Sequence, residues 1–348
     1  MNHDLIVVGA GPAGSTTATV VAQAGYRVLV LERDPSCRSP CAGYISSTIN
    51  TELPEGCIIQ SKIRKIRTYF PDLSFQDFRM NGFVVERPSF DMALAMKAEE
   101  SGAHIRWGSP LIDLIGGGVR FRGGEAYGKI IVGADGVFSK VASLLGKKTQ
   151  RAAFCAQYHL RGIEPLPEPD TCEIFFDADY APGGYVWVYP TGHDSAKVGL
   201  GITDAGSRSP HQYLDAFLSE SSMAERFCGA RTGYIPGALP IGGLRRGLCY
   251  GNVLLVGDSA GMADPITGAG INNALLAGEI AGKTIVKALE NDDVTMIRQY
   301  GDRINRLLGR PLTRSIEKRK KLDRYCNSNE LLQRHLPELW VTFREYWA

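Results

Sequence analysis

Apolar and polar positions follow two different periods along this chain, and the two periods predict strands and helices in turn. Leu5–Val8 is a short uninterrupted apolar run, which is typical of a strand buried on both faces in a parallel sheet. Ser15–Ala24 has a helical pattern that ends at Gly25, and Arg27–Leu31 is the next apolar run. The N-terminal segment is therefore predicted to fold as a strand, a helix and a second strand.

The same two periods predict further elements downstream. Residues 61–82 have a strand-like pattern, residues 151–245 contain several strand patterns and few helical ones, and the pattern is helical from Gly278 onward. An amphipathic helix is expected at Phe90–Ser101, where Gly102 ends it. Short strands are expected at His104–Trp107, Leu111–Ile115, Val119–Arg122, Lys129–Val132 and Asn252–Val256.

One strand pattern is unusually aromatic, because residues 182–190 read PGGYVWVYP. Alternation places Tyr185, Trp187 and Tyr189 on one face and Val186 and Val188 on the other. Three aromatic rings in a row form a flat apolar wall with polar tips. This wall is either a binding surface for an apolar substrate or a strand of a sheet core that needed bulky side chains.

Composition narrows the function classes. A net charge of +2 with 44% apolar and 22% charged residues is ordinary for a soluble globular protein, so we expect no nucleic-acid partner. The eight cysteines lack a metal-binding spacing, which predicts reduced thiols and no metal, although a Cys37–Cys41 disulfide stays open. Because the chain has no export signal and no long apolar run, we expect a cytoplasmic protein with possible peripheral contact at the inner face of the membrane.

A glycine-rich turn joins the first strand to the first helix. Gly9, Gly11 and Gly14 form a G-x-G-x-x-G sequence in which the first glycine makes the turn, the second admits a pyrophosphate and the third lets the helix pack closely. The helix N-terminus offers free N–H groups to phosphates. Glu32 follows the second strand, 23 positions after Gly9, where an acid that binds a ribose is expected. The segment therefore predicts dinucleotide binding.

A second element of this kind occurs about 250 residues further along. The strand at Asn252–Val256 is followed by Gly257-Asp258 and by a glycine-rich loop that leads into a helix at Gly270 and Ile271. Asp258 can accept a hydrogen bond from a sugar hydroxyl, and the helix N–H groups can face an electron-rich ring edge. An NAD site does not need this second element, whereas a cofactor stretched across the domain does. The pair of elements favours FAD.

The motifs together resemble flavoproteins of the para-hydroxybenzoate hydroxylase fold. The resemblance is carried by the G-x-G-x-x-G turn, by GADG at residues 133–136, by the late GDSAG loop, and by Arg87-Pro-Ser-Phe-Asp91, which is similar to an R-x-x-F-D motif whose Arg lies near the flavin. It implies FAD contacts at Glu32, Arg87 and Asp258. Ala142 stands where many hydroxylases of the fold have Arg, which weakens a hydroxylase-like use of NAD(P)H.

Within that fold the chain resembles the geranylgeranyl reductase family, and in particular its archaeal membrane-lipid reductases. PGGYVWVYP is similar to the family's P-x-x-Y-x-W-x-F-P, with Tyr189 where Phe is usual, and residues 264–268 are similar to its D/N-P-x-T-G. The loop at Cys41, Ala42 and Gly43 resembles a C-G-x-G loop beside the flavin, with Ala42 where Gly is usual.

This resemblance implies an FAD-dependent oxidoreductase that saturates the isoprenoid C=C bonds of geranylgeranyl-type lipid chains. Cys41 is the candidate catalytic residue, and Tyr185, Trp187 and Tyr189 are the candidate substrate-binding residues. The expected cofactor contacts are Gly9, Gly11, Ala13, Gly14, Glu32, Arg33, Cys41, Ala42, Gly43, Arg87, Leu111, Asp135, Asp258, Gly268, Gly270 and Ile271. A flavin monooxygenase or halogenase of the same fold and a non-catalytic flavin-binding protein are the alternatives. The electron donor stays open between a ferredoxin, a flavodoxin-like protein and NAD(P)H.

The expected fold is α/β, or α+β overall, with three parts. A Rossmann-type FAD-binding domain with a parallel sheet comprises residues 1–60, 83–150 and 246–285, and an antiparallel-sheet substrate domain comprises residues 61–82 and 151–245. A C-terminal helical region covers residues 286–348.

The C-terminal region also contains a basic segment. Residues 302–324 hold nine Lys and Arg against three acids. Such a segment either meets anionic lipid headgroups or is a solvated helix face, and the second outcome is the commoner one.

Overall fold

The computed structural model describes residues 2–37, 39–47, 52–203, 206 and 208–348. In these residues the strands form two sheets of eight. In chain order the strands are β1 (Asn2–Val8), β2 (Val28–Leu31), β3 (Tyr44–Ser46), β4 (Ile59–Tyr69), β5 (Phe75–Val85), β6 (His104–Arg106), β7 (Leu111–Ile115), β8 (Gly118–Phe121), β9 (Gly124–Gly133), β10 (Ala152–Arg161), β11 (Thr171–Phe175), β12 (Tyr185–Gly192), β13 (Ser195–Ile202), β14 (Ala230–Pro240), β15 (Cys249–Tyr250) and β16 (Val253–Leu255).

The first sheet has a parallel core in the order β16-β9-β1-β2-β6, with β15 at one edge. The second half of its central strand β1, Leu5–Val8, is apolar because both faces are covered there, and Leu5, Ile6 and Val7 are fully buried. The strand predicted at Lys129–Val132 is the second half of the longer β9. The first half of β9 pairs antiparallel with β8, which in turn pairs with β7.

The α-helices, numbered in chain order, are α1 (Pro12–Gln23), α2 (Arg87–Glu100), α3 (Lys140–Leu144), α4 (Pro210–Glu220), α5 (Ile271–Glu290), α6 (Gln299–Ile304), α7 (Arg310–Tyr325) and α8 (Asn329–Leu339). Helices α1 and α5 pack together unusually closely. A Cβ atom at Gly278 of α5 would lie 2.6 Å from the carbonyl oxygen of Ala13 of α1. This contact brings the late loop before α5 next to the N-terminal glycine turn.

The second sheet has the order β14-β10-β13-β12-β11-β4-β5-β3. It is antiparallel as expected except that β11 pairs parallel with β4. Strand β3 lies in the predicted cofactor segment 1–60 yet pairs with β5, so the loop before it is attached to the second sheet. The division into three domains stays a prediction.

The C-terminal helices cover one face of the second sheet. Leu322 of α7, Leu336 of α8 and Trp340 belong to the same buried cluster as Trp187 of β12. On the opposite face of β12, Val186 and Val188 belong to a second buried cluster that also contains Leu214 and Phe217 of α4. Among the described helices, none has the length and apolar character that a bilayer crossing requires.

Candidate active site

The glycine turn after β1 is tight at two of its glycines and open at the third. Gly9 has φ +102°, and a Cβ there would lie 2.4 Å from Ala134 O, while a Cβ at Gly14 would lie 1.9 Å from Gly9 O. Among the residues that the structure describes, no atom would lie within 4 Å of a Cβ at Gly11. Since Gly11 precedes α1 and the first intrahelical bond runs from Ser15 N to Gly11 O, the first-turn N–H groups have no intrahelical acceptor. The open side of the turn therefore has the space and the N–H donors that a pyrophosphate requires, and its binding there stays a prediction.

Glu32 connects this turn to the end of β2. Its two carboxylate oxygens accept hydrogen bonds from Ala10 N at 2.7 Å and from Asp34 N at 2.8 Å. Arg33 beside it is exposed, and Leu111 opens β7 two residues after Ser109, whose N–H donates to Glu32 O at 2.8 Å. The structure thus brings these residues to the carboxyl end of β2, and their contact with a cofactor stays a prediction.

Asp135 has a local role that the sequence did not indicate. Its carboxylate accepts from Ser139 Oγ at 2.6 Å and from Val141 N at 3.0 Å, so it holds the start of α3. Burial raises the pKa of Asp135 against these hydrogen bonds. A cofactor that contacts Asp135 would bind a carboxylate that already accepts two hydrogen bonds from the start of α3.

The start of α5 is the second element that the sequence predicts to face the cofactor. Ile271 is the first helical residue, and the first main-chain bond of the helix runs from Ala274 N to Gly270 O. Asp258 lies beside it, because a Cβ at Gly270 would be 3.3 Å from Asp258 Oδ1. Burial raises the pKa of Asp258, and the charge of Arg87 opposes that effect. An electron-rich group bound here would face free N–H donors.

Arg87 reaches the same region from α2. It forms a buried ion pair with Asp91, in which Nη2 lies 2.9 Å from both carboxylate oxygens. The R-x-x-F-D spacing explains the pair, since residues four apart lie on one face of a helix. Phe90 between them is fully buried. The motif therefore fixes the Arg87 guanidinium in place, and its positive charge favours the ionised form of Asp258.

The loop that carries Cys41 lies on the second sheet. Gly43 N donates to Cys41 Sγ at 3.4 Å, and Gly43 O accepts from Val85 N at 2.9 Å. Pro40 packs on β14, where a Cβ at Gly237 would lie 2.7 Å from the Pro40 Cβ. Two elements of the second sheet, β5 and β14, therefore hold the loop from opposite sides.

The aromatic face of β12 has the predicted alternation, and specific neighbours fix its rings. Trp187 is 9% exposed and donates from Nε1 to Gln157 Oε1 at 3.1 Å. It fits because Gly199 of β13 lies opposite, where a Cβ would come within 2.5 Å of the indole. Tyr185 donates its hydroxyl to Thr267 O at 2.5 Å. The wall is thereby tied to residues 264–268, the turn that leads into α5.

Both ends of the wall are covered by other rings. Trp340 packs on Tyr185 with centroids 5.1 Å apart, and Tyr44 lies 5.8 Å from Tyr189. Burial raises the pKa of the Tyr189 hydroxyl well above its usual value, so the extra hydroxyl at this position stays protonated. The wall is therefore part of a buried cluster, and its role as a surface for an apolar substrate stays a prediction.

The sequence analysis did not identify two buried polar side chains on this face, Gln157 and Lys197. An indole N–H can only donate, so the Trp187 bond fixes the amide of Gln157 and turns its Nε2 donor away, and within the described residues this atom has no hydrogen-bond partner. Lys197 of β13 lies opposite Tyr189 and is 7% exposed. Their alternation within β10 and β13 would have placed both on the aromatic face once the pairing was known.

These features fit flavin adenine dinucleotide. The glycine turn offers an open cradle at Gly11 for a pyrophosphate, and the N-terminus of α5 offers donors to an electron-rich ring. The two elements are joined by the contact of α1 with α5.

Comparison with known proteins decides the family. The model of the geranylgeranyl reductase catalytic domain matches residues 152–231, and that of an NAD(P)-binding Rossmann-like domain matches residues 7–54. A digeranylgeranylglycerophospholipid reductase from Methanothermobacter thermautotrophicus is 34% identical over 350 residues, which cover 93% of this chain and 88% of the relative. This chain belongs to the geranylgeranyl reductase family. A digeranylgeranylglycerophospholipid reductase from Methanopyrus kandleri is 35% identical over 327 residues, covering 87% of this chain and 86% of that protein.

Solved structures agree with the fold. A geranylgeranyl bacteriochlorophyll reductase-like protein from Thermoplasma acidophilum has a TM-score of 0.88 at 26% identity and covers 100% of this chain and 94% of its own. A myxobacterial chondrochloren halogenase, an FAD-dependent enzyme, has a TM-score of 0.72 at 20% identity over 97% of this chain and 89% of its own, which shows a shared fold alone. The predicted family, fold class and FAD-dependent reductase class are confirmed at the level of the family.

Proposed function

We propose that this protein uses reduced FAD to saturate isoprenoid C=C bonds in the geranylgeranyl chains of a glycerophospholipid. The observation that carries the proposal is the aromatic wall of β12, which is bonded through Tyr185 to the turn before α5. A prenyl chain is long and uncharged, so a site for it selects by apolar shape. Tyr185, Trp187 and Tyr189 supply such a surface beside the candidate flavin end of the cofactor site.

The residues of the chain have the following roles in this proposal. Gly9, Gly11, Ala13 and Gly14 hold the pyrophosphate at the start of α1, and Glu32 holds a ribose. Bound reduced FAD would supply the hydride, and a separate donor would supply the proton that completes the saturation of each C=C bond. Asp258, Gly270, Ile271 and Gly268 surround the flavin end, with Arg87 as a fixed cation. The side chains covering the wall exclude water from the double bond being reduced.

Cys41 is the proposed catalytic residue next to the reacting bond. Its loop is held by β5 and β14 and is linked to the aromatic face through Lys197, which lies opposite Tyr189 and donates to Ala42 O. Its neighbours Ala42 and Gly43 bring main chain close to the same point, so the thiol is presented on a rigid support rather than a free loop.

Oxygen use separates this function from the alternative of a monooxygenase or halogenase. The fold is shared with a halogenase, so the reaction class has to be tested directly. We expect lipid reduction under anaerobic conditions with ferredoxin, a flavodoxin-like protein or NAD(P)H as donor, and no lipid-dependent oxygen consumption. Oxygen consumption that depends on added lipid would refute the reductase.

We also propose that the basic face of the C-terminal helices contacts an anionic membrane surface. Arg310, Arg314, Lys321 and Arg324 of α7 are exposed and recur at spacings of four, seven and three residues, so they share one face. Arg319 points the other way and donates to Gly183 O at 2.5 Å, in the turn before the aromatic strand. The helix thus has a charged outer face and an inner face that contacts the substrate strand.

Vesicle sedimentation tests this contact. Replacing Arg310, Arg314 and Arg324 by Gln should weaken binding to phosphatidylglycerol vesicles by about a hundredfold, since each cation contributes about 1 kcal/mol. A control variant removes three exposed cations elsewhere, Arg79, Lys97 and Arg122. Equal losses in the two variants would contradict a specific membrane face.

A further inference from the structure

Lys197 is a buried cation in an apolar setting. It lies on β13 opposite Tyr189, on the aromatic face of the second sheet, and is 7% exposed. Its ammonium donates to two main-chain oxygens, Ala42 O at 3.0 Å and Val85 O at 2.9 Å. A lysine in such a place costs free energy unless its hydrogen bonds are made, so a residue like Met would fill the space more favourably.

The two acceptors belong to different parts of the fold. Ala42 lies in the loop directly after Cys41, and Val85 ends β5 two residues before Arg87. A Cβ at Gly43 would lie 3.4 Å from Lys197 Nζ, 3.4 Å from Arg87 Cγ and 2.3 Å from Val85 O. Lys197 therefore stands where the Cys41 loop, the end of β5 and the start of α2 meet.

The loop has anchors on both sides of Ala42, and Lys197 holds the carbonyl of Ala42 itself. Gly43 O accepts from Val85 N, and Pro40 packs on Gly237, so the residues on both sides of Cys41 and Ala42 are anchored. Ala42 departs from the glycine usual in the family. Its carbonyl is held by the lysine ammonium, a charge-assisted bond that is stronger than one between neutral groups.

We propose that Lys197 is a positioning residue of the active site, whose ammonium ties the Cys41 loop to the end of strand β5 and fixes the height of Cys41 above the aromatic wall. Lys197 acts through the main chain of Ala42 and does not take part in the reaction itself. The proposal extends the proposed function to a residue that no motif of the chain contains.

The test combines hydrogen exchange with kinetics on the FAD-loaded protein. Lys197→Met removes the donors, Lys197→Arg keeps charge and donors, and Lys62→Met removes an exposed lysine of the same sheet as the control. In Lys197→Met we expect the Val85 amide, bonded to Gly43 O, to exchange at least about tenfold faster, because the loop loses its hydrogen bond at Ala42 O and the end of β5 loses the one at Val85 O. We expect kcat to fall by about a hundredfold with little change in KM, as for a misplaced catalytic group. Lys197→Arg should recover most of both values.

Each outcome decides the proposal. Unchanged exchange in Lys197→Met, or exchange that stays fast in Lys197→Arg, would overturn it. Should Lys197→Met fail to fold, Lys197→Gln, with a side chain one bond shorter, serves for the same comparison. The kinetic measurement rests on the proposed function, whereas the exchange measurement needs no lipid. A wild-type protein without reductase activity would therefore refute the proposed function. The exchange result alone would then decide whether Lys197 positions the loop.

Discussion

The glycine turn and the aromatic wall are built in opposite ways. The turn consists of Gly9, Gly11 and Gly14 with Glu32, all within residues 9–32, and its close contacts involve main-chain atoms together with the Glu32 carboxylate. The wall has three neighbouring rings, but it depends on partners from β10, β13 and the C-terminal helices. A site made from local main chain can be recognised by spacing, whereas a site made from distant side chains needs the pairing of strands.

Glycine substitutions break the turn most strongly. Gly14→Ala places a Cβ 1.9 Å from Gly9 O, so we expect FAD to be lost and the free energy of unfolding to fall by about 3 kcal/mol. Gly11→Ala meets no atom within 4 Å, so it should change apo stability by less than about 0.5 kcal/mol while weakening FAD binding. Flavin fluorescence and chemical denaturation measure both quantities. Equal destabilisation by the two variants would contradict the picture of a turn closed at Gly14 and open at Gly11.

Removing the Cys41 thiol tests the region where turn and wall meet. Cys41→Ala should keep FAD bound, because the loop is anchored by Gly43 and Pro40, and should lose about a hundredfold in lipid reduction. Turnover and flavin content are measured together. Cys228→Ala, at an exposed cysteine, is the matched control. Full turnover in Cys41→Ala would remove the thiol from the proposed mechanism.

Truncating the wall should sort substrates by length. Trp187→Ala removes a buried indole, which costs about 3–5 kcal/mol of stability, and should reduce kcat/KM for geranylgeranyl lipids about tenfold more than for shorter prenyl chains. Trp187→Phe keeps an aromatic ring beside Gly199 and should show a smaller effect. A loss that is uniform across chain lengths would point to misfolding instead of a lost contact.

The pH dependence of the free energy of unfolding tests the buried charge of Lys197, which lies between the Cys41 loop and the aromatic wall. Burial lowers the pKa of Lys197 to about 8, with Cys41 and Glu86 favouring the charged form and Arg87 opposing it. Between pH 8 and the higher pKa of the unfolded chain, the unfolded state binds more protons, so the stability contribution of Lys197 rises with pH by about 1 kcal/mol per pH unit. Denaturation of wild type and Lys197→Met from pH 7 to 10 compares the slopes. Identical slopes would contradict a buried ammonium.

The sequence predicted features that depend on neighbouring residues and missed features that depend on which strands pair. The first strand–helix–strand unit, the hairpin of β7 and β8 and the alternation of β12 follow from spacing and period. The pairing of β3 with the second sheet and the parallel pairing of β11 with β4 do not, because short strands carry no record of their partners. Gln157 and Lys197 were missed for the same reason, since a single polar residue in an apolar strand has no motif.

The basic segment shows a further limit of composition. Nine cations within residues 302–324 suggested one surface, yet Arg319 is buried and paired with Asp323 while it donates to Gly183 O. Counting charges cannot distinguish a cation on the outer face from one that holds the helix to the sheet. The helical period, applied to the exposed residues, makes that distinction.

The most direct test of the account is a single turnover without oxygen. The FAD-loaded protein is reduced with dithionite under anaerobic conditions and mixed with a geranylgeranyl glycerophospholipid or with its fully saturated analogue. We predict that the flavin is reoxidised by the unsaturated lipid alone, and that mass spectrometry finds a product that has gained one H₂ for each double bond reduced. A flavin that stays reduced with both lipids, and is reoxidised only when air is admitted, would contradict the proposal that the aromatic wall binds a prenyl chain for reduction.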